Sequence, residues 1–220
     1  YSPDGAFMAS ASSDNTIIVT SITASATLFG KSISADPDSV DVNKIMFRLT
    51  DSEDVNAVIY TPDGKYLVTG NDEGEIKVWD ANPVSGYEWT GFRPHIARID
   101  GMEFSPDGEH YVTAARDGKA YIWSLTDQTP IELVGHESAI QDVAYNSDGT
   151  RIVTGGFDGL AILWDAQTGE LLQKFSKDDQ WVTGVNFSPD GNLIAASLGD
   201  STVVIWDAVS GDEISVLQSN

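Results

Sequence analysis

The chain has 220 residues, with 34 acidic side chains against 12 Lys and Arg, a formal net charge of −22 at pH 7. So few basic side chains disfavour binding to nucleic acid or to an anionic membrane, because phosphate neutralisation needs clustered cations. The sequence contains no Cys, which excludes disulfides and thiolate metal sites without choosing a compartment. A cytoplasmic location is favoured over an extracellular one, and a salt-adapted or extracellular source stays open. No apolar run approaches membrane-spanning length.

A five-residue turn phrase recurs along the chain and begins at Tyr1, Tyr60, Phe104, Tyr145 and Phe187. It reads aromatic-Ser-Pro-Asp-Gly with small variations. Pro presets φ for the turn, Asp can accept backbone hydrogen bonds and Gly adopts a positive φ. Successive phrases lie about 42 residues apart, except for an insertion of about 17 residues in the first interval, and this period is typical of a four-stranded repeat.

Each unit contains four apolar runs of strand length, which predicts an antiparallel meander. In the fourth unit the predicted strands are about 140–145, 151–155, 160–164 and 171–175. A second turn, such as Asp158-Gly159, separates the second and third runs of each unit. A Trp-Asp pair, or a degenerate form of it, lies six residues after the first residue of each second turn. The pairs are Trp79-Asp80, Trp123-Ser124, Trp164-Asp165, Trp206-Asp207 and, in the most divergent copy, Thr20-Ser21.

Four Trp pairs at a fixed offset from five turn phrases resemble the WD-repeat β-propeller family. The resemblance implies an all-β fold with five four-stranded blades, at about residues 1–50, 51–94, 95–135, 136–177 and 178–220, with the insertion at about 22–43. The first blade would lack most of its inner strand. Such propellers most often close with seven blades, so we expect this chain to be part of a larger, seven-bladed propeller.

The acidic excess has a structural explanation as well as a functional one. Half of the 24 Asp residues occupy the first turns, the second turns or the position after Trp. We therefore expect turn chemistry to account for these carboxylates.

A hydroxyl, an imidazole and a carboxylate in the fourth unit invite a nucleophilic-triad interpretation. The set is His136, Thr154 and Asp158, together with Trp164. The third unit repeats it at the same offsets, however, and a catalytic site has no reason to recur. In the family, the indole N–H donates to the hydroxyl, the hydroxyl to the imidazole, and the turn Asp holds the other ring nitrogen. We therefore predict two structural networks, no catalytic residue and no cofactor, with these members: His95, Thr113, Asp117, Trp123, His136, Thr154, Asp158 and Trp164.

Other units depart from this pattern. The second has Asp51 in the His place and Glu73 in the turn Asp place, so we expect two carboxylates to face what should be an imidazole network and no lock to form. The fifth has Asp178 and Ala196 in the His and hydroxyl places, and the first has Thr20 in place of Trp.

The insertion contains Asp36, Asp38 and Asp41. These carboxylates could bind calcium. The segment lacks the Gly and the distal Glu of the helix-loop-helix calcium loop, so a solvated loop between the third and fourth strands is favoured.

Propellers of this family present side chains on one face from two recurrent places. The first lies three residues after the His position, and the second just before the second-turn Asp. The first set is Asp54, Arg98, Ala139 and Trp181, and the second is Ser13, Asp72, Arg116, Phe157 and Gly199. Units three to five would thus bring together Arg98, Arg116, Phe157 and Trp181, residue types enriched at interface centres. The alternative is that the two Arg pair with Asp100 or Asp117 while the aromatics cap the core.

The repeats favour a non-enzymatic protein-protein interaction scaffold or sensor module, as a subunit of a larger complex or a domain of a longer chain. An enzyme with its site in the channel of the complete propeller, or a structural surface-layer component, stays an alternative. The expected partner is a protein or a peptide that offers carboxylates to the Arg and an apolar or extended segment to the aromatics. A short acidic and apolar peptide, or a mixed-charge surface, would fit.

Overall fold

The computed structural model describes residues 1–22, 25–28, 31–34, 45–81, 88–125 and 129–218. Every regular element among these residues is a β-strand. The chain divides into two compact units, Tyr1–Ile96 and Ala97–Asn220.

The first unit contains two blade sheets and a hairpin. Among the described residues, its first sheet has three strands in the order β1 (Phe7–Ala11), β2 (Thr16–Ser21) and β5 (Ile45–Thr50), which agrees with the incomplete first blade expected from the sequence. The hairpin, β3 and β4, occupies part of the insertion between β2 and β5, where the insertion was expected, whereas Asp36, Asp38 and Asp41 lie outside the described residues. The strands are β1 Phe7–Ala11, β2 Thr16–Ser21, β3 Ser25–Leu28, β4 Lys31–Ser34, β5 Ile45–Thr50, β6 Val55–Tyr60, β7 Tyr66–Asn71, β8 Ile76–Asp80 and β9 Glu88–Phe92.

The second unit contains three four-stranded antiparallel sheets, each a meander in chain order. The strands predicted for the fourth repeat are confirmed to within one residue at their ends. The strands are β10 Ile99–Phe104, β11 His110–Ala115, β12 Ala120–Ser124, β13 Ile131–Glu132, β14 Ile140–Tyr145, β15 Arg151–Gly156, β16 Leu160–Asp165, β17 Leu171–Ser176, β18 Val182–Phe187, β19 Leu193–Leu198, β20 Thr202–Asp207 and β21 Glu213–Gln218.

Sheets of the second unit pack face to face, with inner strand β14 against both β10 and β18. Alternate residues of the middle strands point to opposite sides. Ile152 and Ile162 join an apolar cluster with the sheet before them, and Val153 and Leu163 join one with the sheet after them. Burial on both faces explains why these strands are near-continuous apolar runs.

The first turns use their Asp as predicted. The Asp63 carboxylate accepts hydrogen bonds from the Thr61 hydroxyl at 2.7 Å and from the Lys65 backbone N–H at 3.0 Å. Gly64 follows with φ of 70°, a conformation that favours Gly. Burial works to raise the pKa of Asp63, but the hydrogen bonds and the Lys65 charge outweigh it and lower the pKa to about 2.

The second blade holds a buried ion pair that the sequence does not suggest. Lys77 is in β8 and pairs with Thr69 of β7. Ile162 occupies the equivalent position in the fourth blade, where it pairs with Thr154. Lys77 Nζ lies 2.9 Å from Asp51 Oδ1, and the side chains are 7% and 0% exposed. The Asn71 amide donates to the same oxygen at 3.3 Å. Burial tends to raise the pKa of Asp51, but the Lys77 hydrogen bond and charge and the backbone N–H of Glu53 hold it below its usual value.

We expect Lys77→Met to lower the free energy of unfolding by about 3 to 5 kcal/mol, because it leaves the Asp51 charge buried and unpaired. Urea denaturation measures the loss. The matched control, Lys77→Met with Asp51→Asn, removes both charges and should recover part of it. A single variant as stable as the wild type would contradict a stabilising ion pair.

The Asp63 turn predicts part of the acid sensitivity. Because the folded pKa lies below the ordinary value of 3.8, the carboxylate stabilises the fold above that value and the contribution is lost as pH falls toward about 2. In Asp63→Asn, the melting temperature should fall less steeply than in the wild type as the pH is lowered from about 4 to about 2. This interval lies between the pKa values of Asp63 in the unfolded and folded states. The control is Asp212→Asn, at an exposed carboxylate outside the turn phrase. Parallel profiles for wild type and Asp63→Asn would contradict the assignment.

Candidate interaction surface

The two recurrent positions predicted to present side chains are joined by a backbone hydrogen bond in every blade that contains both. The N–H of the second position donates to the carbonyl oxygen of the first. The two residues of each pair therefore lie next to each other at one end of their sheet. The bonds are Asp72 to Asp54 (3.0 Å) in the first unit, and Arg116 to Arg98 (2.8 Å), Phe157 to Ala139 (2.8 Å) and Gly199 to Trp181 (2.9 Å) in the second.

The two arginines of the third blade converge on one carboxylate. Arg98 Nε lies 2.5 Å from Asp100 Oδ1, and Arg116 Nε lies 2.7 Å from Asp100 Oδ2. Gln141, on the next inner strand, donates to Oδ2 at 3.3 Å. Pairing with Asp100, which the sequence left open as an alternative, is thus observed. The Arg side chains are 39% and 43% exposed.

Asp100 owes its position to a bulge in the strand pairing. The register of β10 against β11 shifts between Ile99 and Gly101, so Asp100 has no partner in the ladder. A bulge re-aims the side chain of the extra residue. The inner strands of the fourth and fifth blades shift at the same place, at Gln141 and Thr183.

The two aromatic side chains contact each other across the fourth and fifth blades. The ring centroids of Phe157 and Trp181 lie 5.6 Å apart at an interplanar angle of 48°. A Cβ at Gly199 would lie 3.3 Å from Trp181 Cε3, so the indole rests on a position without a side chain. Phe157 is 37% and Trp181 58% exposed, which argues against a role in capping the core. We call Arg98, Arg116, Phe157 and Trp181 the Arg-aromatic surface.

The fourth-blade network has the connectivity predicted for it. Trp164 Nε1 donates to Thr154 Oγ1 at 2.8 Å, and Thr154 Oγ1 lies 2.7 Å from His136 Nε2. His136 Nδ1 lies 2.8 Å from Asp158 Oδ2, which also accepts from the backbone N–H of Glu137 at 3.0 Å.

Every donor of this network is used when His136 is neutral. His136 Nδ1–H donates a hydrogen bond to Asp158, and the Thr154 hydroxyl donates one to His136 Nε2. The indole N–H of Trp164 donates to the oxygen of the same hydroxyl. Burial lowers the pKa of His136 despite the opposing charge of Asp158, which favours this neutral form. Thr154 and the His136 side chain are both 0% exposed, so neither reaches a substrate.

The third-blade residues show part of the same arrangement. Trp123 Nε1 donates to Thr113 Oγ1 at 3.0 Å, and Asp117 accepts from the backbone N–H of Lys119 at 3.0 Å. Thr113 is fully buried. His95, also fully buried, belongs to the first compact unit.

The expectation for the second blade needs a correction. Trp79 Nε1 donates to Thr69 Oγ1 at 2.9 Å, so that half of the lock does form. Glu73 does not face Asp51. It is half-exposed and lies 2.5 Å from Arg93, while Lys77 neutralises Asp51. The signal that could have found this pair is a Lys in the middle of an apolar strand, at a position where the third, fourth and fifth blades have Tyr121, Ile162 and Val204.

A cavity of about 490 Å³ flanks Arg116 and is lined by residues 116–119 and 132–139. Its charged groups include Lys119 and Glu132, whose side chains lie 3.2 Å apart. Within the described residues, no three His, Asp or Glu side chains are arranged to hold a metal ion. The same part of the chain contains no helix that is long and apolar enough to cross a membrane.

Thr154→Val should lower the free energy of unfolding by about 1 to 3 kcal/mol, because it leaves the Trp164 N–H and His136 Nε2 buried without a partner. Urea denaturation measures the change. Thr154→Ser keeps the hydroxyl and is the matched control, expected to lose less. A Thr154→Val variant that is as stable as the wild type, or more stable than Thr154→Ser, would contradict a stabilising role for these hydrogen bonds.

Comparison with known proteins places the chain among relatives. The family model "WD domain, G-beta repeat" matches residues 1–21, 43–80, 88–124, 128–165 and 169–207. The chain is 34% identical over 53 residues to a periodic tryptophan protein 2 homolog of Dictyostelium discoideum, covering 24% of this chain and 6% of that protein. It is 46% identical over 39 residues to the Mus musculus homolog, covering 18% and 4%. The matched segments are thus a small share of these relatives. The five repeat matches span most of the sequence, and the chain belongs to the WD40 repeat family.

Proposed function

We propose that this chain is a non-enzymatic protein-protein interaction module that binds its partner through the Arg-aromatic surface. The observation that supports the proposal is the backbone hydrogen bond that recurs between the two presenting positions. Because of it, the backbones of Arg98, Arg116, Phe157 and Trp181 lie at equivalent ends of three consecutive sheets. Two Arg and two large aromatics are the side chains most often found at the energetic centres of interfaces.

The buried network supports the non-enzymatic part of the proposal. Thr154 has a hydrogen-bonded His136 beside it, but the hydroxyl is fully buried and already accepts the indole proton of Trp164. A nucleophile must be exposed to its substrate. An enzyme with a site in the channel of the complete protein, or a surface-layer component, has no comparable support among the described residues.

We further propose that these sheets are part of a larger propeller, for which seven blades are usual. The chain would then serve as a scaffold or sensor region of a longer protein or complex. Its membership of the WD40 repeat family supports this by analogy.

The partner is proposed to be a protein or a peptide. The partly exposed guanidinium groups of Arg98 and Arg116 suit a partner carboxylate, since guanidinium groups bind planar oxyanions well. The rings of Phe157 and Trp181 suit an extended segment that covers exposed aromatic surface. The net charge of −22 opposes nucleic acid and anionic membranes as partners.

The test is affinity capture from cells of the source organism with mass spectrometry. The double variant Arg116→Ala, Phe157→Ala should lose at least one protein that the wild type retains, because central interface residues typically contribute about 2 kcal/mol or more each. The matched control is Lys174→Ala, Leu172→Ala, which removes one cation and one apolar side chain from exposed positions of β17. The control should keep that protein. Identical captures by all three, with unchanged urea midpoints, would move the interaction site elsewhere.

A further inference from the structure

We propose that the Phe157–Trp181 corner of the Arg-aromatic surface binds a positively charged side chain, Lys or Arg, of the partner. This inference rests on the proposed function and narrows it: the partner segment would carry a cation for the aromatic end as well as a carboxylate for the Arg end. The occupant follows from the geometry of the rings and from the charges around them.

The ring geometry suits a cation. The two rings are tilted by 48° at a centroid distance of 5.6 Å, and both are open to solvent. A cation within about 6 Å of a ring centroid is attracted by the negative π-face, most strongly by Trp. The indole also packs against Gly199. The backbone N–H of Gly199 donates to the Trp181 carbonyl oxygen at 2.9 Å, which fixes the two residues relative to each other. A site that is already in place loses little conformational entropy on binding.

Exposed acidic residues lie close in the chain to Trp181 and to the residue on which its indole rests. The peptide between Asp179 and Gln180 packs on the turn that follows Phe157: a Cβ at Gly159 would lie 3.3 Å from the Gln180 carbonyl oxygen. Asp179 is exposed and precedes Trp181 by two residues. On the other side, exposed Asp200 follows Gly199, on which the indole rests.

The nearest cation of the same loop already has partners. Lys177 Nζ lies 2.9 Å from Glu213 Oε2 and 3.7 Å from Asp178 Oδ2. The two arginines of the surface share Asp100 at its other end. The aromatic corner therefore has negative neighbours, which favour a cation over an aliphatic or acidic side chain.

The experiment titrates four peptides, Ac-Gly-Gly-X-Gly-Gly-NH2 with X as Lys, Arg, norleucine or Glu, and follows the indole N–H resonance of Trp181 by NMR. The resonance is assigned by its loss in Trp181→Leu. The Lys or Arg peptide should bind at least about threefold more tightly than the norleucine peptide, the size expected of a partly exposed cation-π contact. The Glu peptide should bind most weakly.

Two variants separate the contributions. Phe157→Leu should reduce the preference for the basic peptides over norleucine, because Trp181 is then the one ring left at the corner. Asp179→Asn should weaken binding of the basic peptides and leave norleucine unchanged, whereas Asp212→Asn, the control at a distant position in the sequence, should change neither. All the substituted side chains are exposed or partly exposed, and unchanged urea midpoints verify folding.

Norleucine bound as tightly as Lys and Arg, or a Trp181 resonance that no peptide shifts, would overturn the cation site. Either result would leave the proposed function to the capture experiment, because an interface can use the rings as apolar anchors. Loss of partner capture in the double variant without any cation preference would thus reject this inference alone.

Discussion

Each sheet can bury its two faces only against neighbouring sheets, and this constraint governs the rest of the structure. Ile162 and Leu163 are adjacent in the chain, yet they join apolar clusters on opposite sides of their sheet. A single four-stranded sheet would leave both of these faces in water, so stability comes from contacts between repeats. Polar groups that enter the middle strands must therefore find partners within the protein.

The blades satisfy that requirement with two different chemistries. In the fourth, His136 lies between Thr154 and Asp158, and burial lowers its pKa, which favours the neutral form. In the second, Asp51 is ionised and paired with Lys77. A buried ion pair loses more when one partner is removed than a neutral hydrogen bond does, because a charge is left behind. The second blade should thus be the more sensitive to single substitutions.

With the faces buried, the ends of the sheets are left to contact other molecules. The backbone hydrogen bond between the two presenting positions holds their side chains at the same end in each blade. What varies is the side chains themselves. In the second unit, the third blade presents two arginines bridged by Asp100. The fourth and fifth blades present the Phe157–Trp181 pair, with acidic residues close by in the chain, so the two parts of the surface differ in charge. Such a surface suits a partner of mixed charge better than a uniformly acidic one.

Local chemistry made much of this predictable. The Pro-Asp-Gly phrases predict the turns because Asp63 and its equivalents bond to the backbone within two residues, and Gly64 adopts its positive φ where it stands. Period-two alternation predicts the strands of the fourth blade. The recurrence of the His, Thr, Asp and Trp set predicts a structural role for it, and the resemblance to the WD-repeat family implies the network of His136, Thr154, Asp158 and Trp164.

Contacts between residues far apart in the chain could not be predicted in this way. Lys77 is 26 residues from Asp51, and the sequence around neither shows that the two charges meet. On the sequence alone Arg98 and Arg116 could pair with Asp100 or with Asp117, and the bulge in β10 decides for Asp100. The packing of the Trp181 indole on Gly199 depends on the pairing of β18 with β19. Sequence patterns report which faces are buried and where turns form, because both follow from near neighbours. The partner of a particular side chain depends on strand register and sheet packing, which form only when the repeats come together.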